Sequence, residues 1–275
     1  MASNDSANEL KARLDLALDA GRAAGRLTLE YFGRDNFEVE LKSDASPVTV
    51  ADREAEQYLR QRISAAFGDD AIVGEEFDDR AGTSGYRWIL DPIDGTKSFV
   101  QGVPLYGTMV GVEYGERAVI GVVSIAALDE TVYAATGQGA WYLRGGEEAQ
   151  PARVSDVARL DDAVLVTTDV EAIGRFKSRE TYDTLAAKCR FARSWGDCYG
   201  YVLVATGRAE IMIDPIINVW DAAALQPILE EAGGTFTDWQ GEATIHHQEG
   251  IATNGKLLDA VLEITQRTAA GGARS

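Results

Sequence analysis

An α+β half followed by an α/β half is the fold that the sequence predicts, and three observations carry it. Four β-type runs between residues 105 and 143 are separated only by Gly115-Glu116, Leu128-Asp129-Glu130 and Gly137-Gln138-Gly139, and turns that short join antiparallel neighbours. After residue 151 strand-like and helix-like patterns alternate instead, as they do in α/β units. Between the two regions, 144–151 carries paired Gly and paired Glu and is the most linker-like stretch inside the chain, so halves are expected at 1–146 and 147–275.

Residues 10–31 open the chain as a helix. Leu10, Leu14, Leu18 and Leu29 recur at helical spacing with Ala between them, and Gly33 stands where a C-cap belongs. The alternating Phe37-Glu38-Val39-Glu40-Leu41 leads into a turn-rich loop, 42–47, and Val48-Thr49-Val50-Ala51-Asp52 enters a helix that runs to Phe67. Ala71-Ile72-Val73 is a short buried strand. Trp88-Ile89-Leu90 is another, and Pro92, with no N–H to donate, is expected to end it at Asp91. The β runs that follow cover 105–114, 118–127, 131–135 and 140–143. In the second half strands are expected at 163–167, 190–192, 210–213, 235–237 and 251–253. Helices are expected at 179–188, 198–206, 219–232 and from Lys256 onward, with a frayed tail at 269–275.

A chain of 275 residues with 45% hydrophobic content is long and apolar enough for a sizeable core. Its formal net charge of −18 argues against a nucleic-acid partner, whose phosphates are gripped by Lys and Arg; solubility is the plain explanation of the acidity. No stretch is apolar enough to span a bilayer, and residues 1–8 lack the apolar core of a signal peptide. Cys189 and Cys198 form neither a disulfide framework nor a metal-type spacing, so a soluble, cytoplasmic protein is expected. His246-His247 reads as an exposed loop pair, since no Cys or regularly spaced third ligand accompanies it.

The chemistry concentrates in residues 88–99. The strand delivers Asp91 to its own rim, Asp94 follows three residues later, and Gly95 frees the backbone N–H groups of Gly95 and Thr96 to approach an anion. Carboxylates beside such a nest suit a hard divalent cation and a phosphate; an acidic Asx-turn with no ligand fits the four residues equally well on local grounds. The strand at 71–73 also ends in acid, at Gly74-Glu75-Glu76, and carboxylates gathered at one rim repel unless a cation sits among them. Asp52 and Asp221 both stand near helix starts, where an acid favours the dipole without any further role. Ala222-Ala223-Ala224 behind Asp221 would let that helix pack closely on another element.

Taken together and in this order, Gly74-Glu75-Glu76, Asp91-Pro92-Ile93-Asp94-Gly95-Thr96 and Trp220-Asp221-Ala222-Ala223 resemble the three signatures of the inositol monophosphatase superfamily. The resemblance covers nearly the whole chain. It implies a layered α-β-α-β-α sandwich, a homodimer and a Mg²⁺-dependent phosphomonoesterase with two or three ions per site. It further implies that Glu75, Asp91 and the carbonyl of Ile93 hold one Mg²⁺ and that Asp91, Asp94 and Asp221 hold a second. Thr96, supported by Asp52, would position and activate the attacking water, and Gly95 and Thr96 would hold the phosphoryl oxygens. Lys97-Ser98-Phe99 and the segment 193–201, Arg-Ser-Trp-Gly-Asp-Cys-Tyr-Gly-Tyr, are more similar to the histidinol-phosphate phosphatases of that superfamily. Asp197 and Asp214 are then the substrate candidates, and their local readings are a helix cap and a turn before Pro215. An inositol-1-monophosphatase or broad sugar phosphatase is the runner-up. A regulatory binding protein on the same fold is the third possibility, distinguished by a lost ligand, and none of these ligands is lost.

Overall fold

The computed structural model describes residues 2–34, 39–41 and 47–271. Helix α1 (Ala2–Thr28) begins earlier than its leucine pattern and ends sooner, with hydrogen-bonded turns carrying the chain to Gly33 at φ +70°. Strands β1 (Val39–Leu41) and β2 (Pro47–Thr49) pair antiparallel; of the expected loop 42–47, residues 42–46 lie outside the described residues and Pro47 opens β2. Helix α2 (Val50–Ala66) starts on a capping box in which Thr49 and Asp52 bond reciprocally.

Strands β3 (Ala71–Gly74), β4 (Tyr86–Asp94), β5 (Gly107–Tyr114), β6 (Arg117–Ile125), β7 (Glu130–Ala135), β8 (Ala140–Arg144) and β9 (Gln150–Pro151) form a seven-stranded sheet in chain order. Only the β3–β4 pair is parallel; the other neighbours are antiparallel, as the short turns require. Residues 126–128 are a 3₁₀ turn and not the end of a strand. The short helix α3 (Thr96–Val100) follows β4.

In the second half, β10 (Val164–Val166), α4 (Val170–Phe176), α5 (Arg179–Lys188), β11 (Phe191–Arg193), α6 (Cys198–Ala205) and β12 (Ile211–Asp214) come first. Then follow α7 (Val219–Ala222), α8 (Leu225–Glu231), β13 (Thr235–Thr237), β14 (Gly250–Thr253) and α9 (Leu258–Gly271). The five strands form one mixed sheet in the order β11-β10-β12-β14-β13. Helix α9 continues three residues into the stretch expected to fray, and residues 272–275 lie outside the description.

Alternation within the strands builds the layers. Trp88, Leu90, Val110, Val112, Ile120 and Val122 face α1 and α2, packing on Leu14, Ala17, Leu59 and Ile63. Ile89, Met109 and Val123 face the other way, toward Tyr201 and Val204 of α6 and Ile228 and Leu229 of α8. Those helices in turn cover Met212, Phe236 and Ala252 of the second sheet, whose opposite face packs on α4, α5 and α9. The order is helix, sheet, helix, sheet, helix, the sandwich that the resemblance implies.

Two expectations fail for the same chemical reason. Pro92 does not end its strand: β4 runs on to Asp94, with Asp91 paired to Met109 and Asp94 to Gly107, so one extra residue is accommodated in a bulge. Pro92 sits in that bulge, where no ladder N–H is demanded, and its carbonyl accepts Thr108 Oγ1 at 2.8 Å. The single helix expected over 219–232 is broken into α7 and α8, because Pro227 has no N–H for the carbonyl four residues earlier, that of Ala223. The joint is still helical in φ and ψ and lies directly on the first sheet. A Cβ at Gly121 would stand 1.9 Å from the Ala224 carbonyl oxygen, and one at Gly111 would stand 2.6 Å from the Ala223 Cβ.

Candidate active site

The parallel β3–β4 pair brings the two acid-ended strands to one rim: Gly74 pairs with Leu90, and Glu75 N–H donates to the Leu90 carbonyl at 3.3 Å. Because Asp91 follows Ile89 by two, its side chain leaves the sheet on the face toward the middle helices. Asp221, three residues after the cap Asn218, comes from α7 on that same side. Oxygens of Asp91, Asp94 and Asp221 all lie within 4.8 Å of one another. Each carboxylate is held from behind. Asp91 Oδ1 accepts Ile93 N–H at 3.0 Å, Asp221 Oδ2 accepts Asn218 N–H at 2.7 Å, and Asp94 Oδ2 accepts the N–H of Cys198 at the start of α6.

Burial first, then mutual repulsion, raises these acids. Asp91 and Asp94 are held well above the usual carboxylate range, Asp91 against Glu75, Asp94 and Asp221, and Asp94 against Asp197 and Asp221. Asp221 is pushed up to about 6. Oxygen-only donors, crowded and short of countercharge, suit a hard divalent cation, so the residues present fit the metal that the resemblance implies.

Four groups not identified from the sequence complete the site. Glu56, buried on α2, accepts Glu76 N–H at 2.8 Å and Arg60 Nε at 2.7 Å, and a Cβ at Gly74 would fall 2.1 Å from its Oε1; it fixes the turn that carries Glu75. Thr168 joins the two substrate candidates. Its Oγ1 accepts Asp197 N–H at 3.0 Å and its N–H donates to Asp214 Oδ1 at 3.1 Å. Tyr201 OH donates to Asp214 Oδ2 at 3.0 Å, and Asn218 caps Asp221. Asp94, Thr168, Asp197, Tyr201, Asp214 and Asp221 line one small cavity, with Ile216 and Ile217 among its apolar walls.

Asp197 has φ +44° and ψ −150°, backbone that favours glycine, and its carboxylate lies over Gly95, where a Cβ would meet Oδ2 at 2.8 Å. Burial pushes Asp197 up to about 6, offset in part by Lys97 and Ser98, and pushes Asp214 up to about 7. Gly95 itself, at φ +82°, caps α3 in the left-handed conformation that the sequence anticipates.

One expected contact is not made. Thr96 Oγ1 donates to the Ile93 carbonyl at 3.0 Å, and Asp52 Oδ2 accepts Thr49 N–H at 2.8 Å and Thr49 Oγ1 at 2.6 Å; among the described residues no hydrogen bond joins Asp52 to Thr96. Asp52 is committed to the helix cap because Thr49 offers it two donors at once. It is nonetheless close enough to feel Glu75, which adds to the burial that lifts it to about 6. Cys198 is buried, and burial pushes its thiol well up, so it is no nucleophile. His246 Nε2 is 2.9 Å from Glu113 Oε1 and His247 Nδ1 is 2.8 Å from Asp238 Oδ2, both away from the cavity.

The raised acids make stability depend on pH. Between the ordinary carboxylate range near 4 and the folded values of about 6 to 7, the folded chain holds protons that the unfolded chain has released, so its stability falls as pH rises through that window. A cation held by Asp91, Asp94 and Asp221 displaces the protons on those three. The rise in melting temperature on adding Mg²⁺ is therefore expected to be larger at pH 7.5 than at pH 5, measured by thermal unfolding with and without chelator. An equal rise at both would contradict the assignment.

Five alternating layers and a partly buried cluster of oxygen ligands, with the matches to known proteins, define a metal-dependent phosphoric monoester hydrolase. Residues 9–269 match the model of the inositol monophosphatase family, and the chain belongs to that family. It is 45% identical to a histidinol-phosphatase of Chlorobaculum parvum, over 89% of this chain and 93% of that protein. It is 38% identical to a histidinol-phosphatase of Mycobacterium tuberculosis, over 90% and 96% respectively. Among solved structures, an IMPase of Thermotoga maritima superposes with a TM-score of 0.83 at 32% identity, covering 94% of this chain and 99% of that one. Among the described residues no helix is long and apolar enough to cross a membrane.

Proposed function

We propose that the chain is a Mg²⁺-dependent histidinol-phosphate phosphatase, converting histidinol phosphate and water to histidinol and inorganic phosphate. The observation that carries this reading is the pair of aspartates on the one small cavity beside the acid cluster, Asp197 half-buried and Asp214 buried, with Thr168 bonding the backbone N–H of the first and the carboxylate of the second, in a chain 45% identical to a histidinol-phosphatase. Glu75, Asp91 and the Ile93 carbonyl would hold one Mg²⁺, and Asp91, Asp94 and Asp221 a second. Held there, the metal would supply Lewis acidity toward a water and toward the leaving oxygen. The N–H groups of Gly95 and Thr96 hold the phosphoryl oxygens, and Thr96 and Asp52 orient the water. In that role Thr96 Oγ1 would exchange its hydrogen bond to the Ile93 carbonyl for one to the water. Asp197 and Asp214 recognise the ammonium and imidazole of the substrate by charge-assisted hydrogen bonds.

The halves 1–146 and 147–275 meet at this centre in the same reading, the first supplying most metal ligands and the second Asp221 and the substrate contacts. The protein is a homodimer in that reading, checked by sedimentation. The free thiols of Cys189 and Cys198 suit the reducing cytoplasm. The runner-up, an inositol-1-monophosphatase or broad sugar phosphatase, is favoured by the superposition on the Thermotoga maritima IMPase.

Phosphate release from histidinol phosphate, inositol 1-phosphate and phenyl phosphate, with Mg²⁺ or with chelator, tests the assignment. Histidinol phosphate is expected to be preferred, and chelator to abolish turnover. Asp197→Asn is expected to lower kcat/KM for histidinol phosphate about ten- to a hundredfold, the worth of one charge-assisted contact, and to leave phenyl phosphate nearly unchanged. Equal losses would make Asp197 structural. A wild-type preference for inositol 1-phosphate would promote the runner-up.

A further inference from the structure

A second cavity, of ≈ 330 Å³, opens between the end of β8, β9 and the turn after α6. Arg144, Arg153 and Arg208 line it together with Tyr142 and Thr206, and no acid is among its lining residues. In a chain with 44 acidic and 26 basic residues this is a local reversal of charge. Glu130, the carboxylate paired with Arg208, is buried, and one carboxylate cannot offset three guanidinium groups.

The cavity is also built, not merely lined. Arg208 is fixed on all sides: Nη2 donates to Glu130 Oε2 at 2.9 Å, Nη1 to Tyr199 OH at 3.2 Å and Nε to Thr206 Oγ1 at 2.8 Å. Its guanidinium lies 5.5 Å from the ring centres of both Tyr142 and Tyr199. Arg144 approaches Glu130 only to 3.9 Å, and Arg153 has no ion pair among the described residues. Two flexible guanidinium groups with uncommitted donors thus stand around a third whose position is set, the arrangement in which Arg forks grip phosphate or carboxylate.

We propose that this cavity binds a small, multiply charged oxyanion, a phosphate ester or a polycarboxylate, through Arg144 and Arg153 against the fixed Arg208. Its residues are separate from the acid cluster, so the two sites are separable by substitution. Isothermal titration of the full-length, Mg²⁺-saturated protein with inorganic phosphate, and separately with malate, tests it. The double variant Arg144→Ser/Arg153→Ser changes two exposed side chains and is expected to keep wild-type turnover. It is expected to show one phosphate or malate site per chain fewer than wild type, or that site weakened about tenfold or more. Loss of a phosphate site alone assigns a phosphorylated ligand, and loss of a malate site alone a carboxylate ligand. Titrations that are identical for wild type and variant with both anions would overturn the proposal.

Discussion

Asp94→Asn and Asp221→Asn are each expected to remove nearly all turnover, by a factor on the order of 10² to 10³, while the chain still folds. Each amide keeps the size of the side chain and can go on accepting the N–H that holds it, Cys198 for Asp94 and Asn218 for Asp221. What is lost is one negative charge from a cluster whose acids repel one another. In chelator, where that charge only repels its neighbours, the melting temperature of either variant should match or exceed that of wild type. Turnover at saturating Mg²⁺ and thermal unfolding in chelator measure the two halves of the expectation. Near-normal turnover in either variant would remove that residue from the metal site.

Gly121→Ala is expected to damage fold and site together. The added Cβ would sit 1.9 Å from the Ala224 carbonyl oxygen, which is backbone and cannot rotate away, so β6 and the α7–α8 joint must separate. Overpacking of that kind costs about 1–3 kcal/mol or more. Because Asp221 rides on α7, the same displacement should raise the Mg²⁺ concentration needed for half-maximal activity. Gly146→Ala, with nothing within 4 Å of the new Cβ, serves as the control and should be neutral. Urea unfolding within about 0.5 kcal/mol of wild type for Gly121→Ala would mean that the joint yields more easily than its packing suggests.

Much of this architecture was legible before any coordinates, because strand periodicity and short turns are local properties of the chain. The antiparallel runs of 105–143, the alternation after residue 151 and the two acid-ended strands follow from patterns that neighbouring residues express, whereas the gathering of Asp221 with Asp91 and Asp94 came only from the resemblance. Proline misled twice, since its effect depends on whether a partner strand or carbonyl requires the missing N–H, and that is decided by Gly107 and Met109 for Pro92. Glu56 and Thr168 carried no signal, and Tyr201 stood in the 193–201 segment without a role, for each acts on a residue brought near only by folding: Glu56 on the Glu75 turn from α2, Thr168 and Tyr201 on Asp214 from β10's end and α6. Asp52 was legible in its local role, the acid at the start of a helix. Its neighbour Thr49 claims it, and a capping box can be read in the sequence as easily as a catalytic partner.

The backbone of Asp197 has a consequence for how this chain could change. An aspartate in that left-handed conformation carries about 1–3 kcal/mol of strain that glycine would not. Under the proposed function the strain is tolerated because the carboxylate discriminates between substrates. A library selected for heat resistance alone should then accumulate glycine at position 197, gaining melting temperature while its survivors become indiscriminate toward phosphate esters. Robustness and selectivity pull in opposite directions at this residue, and a screen that rewards only the first would erase the second.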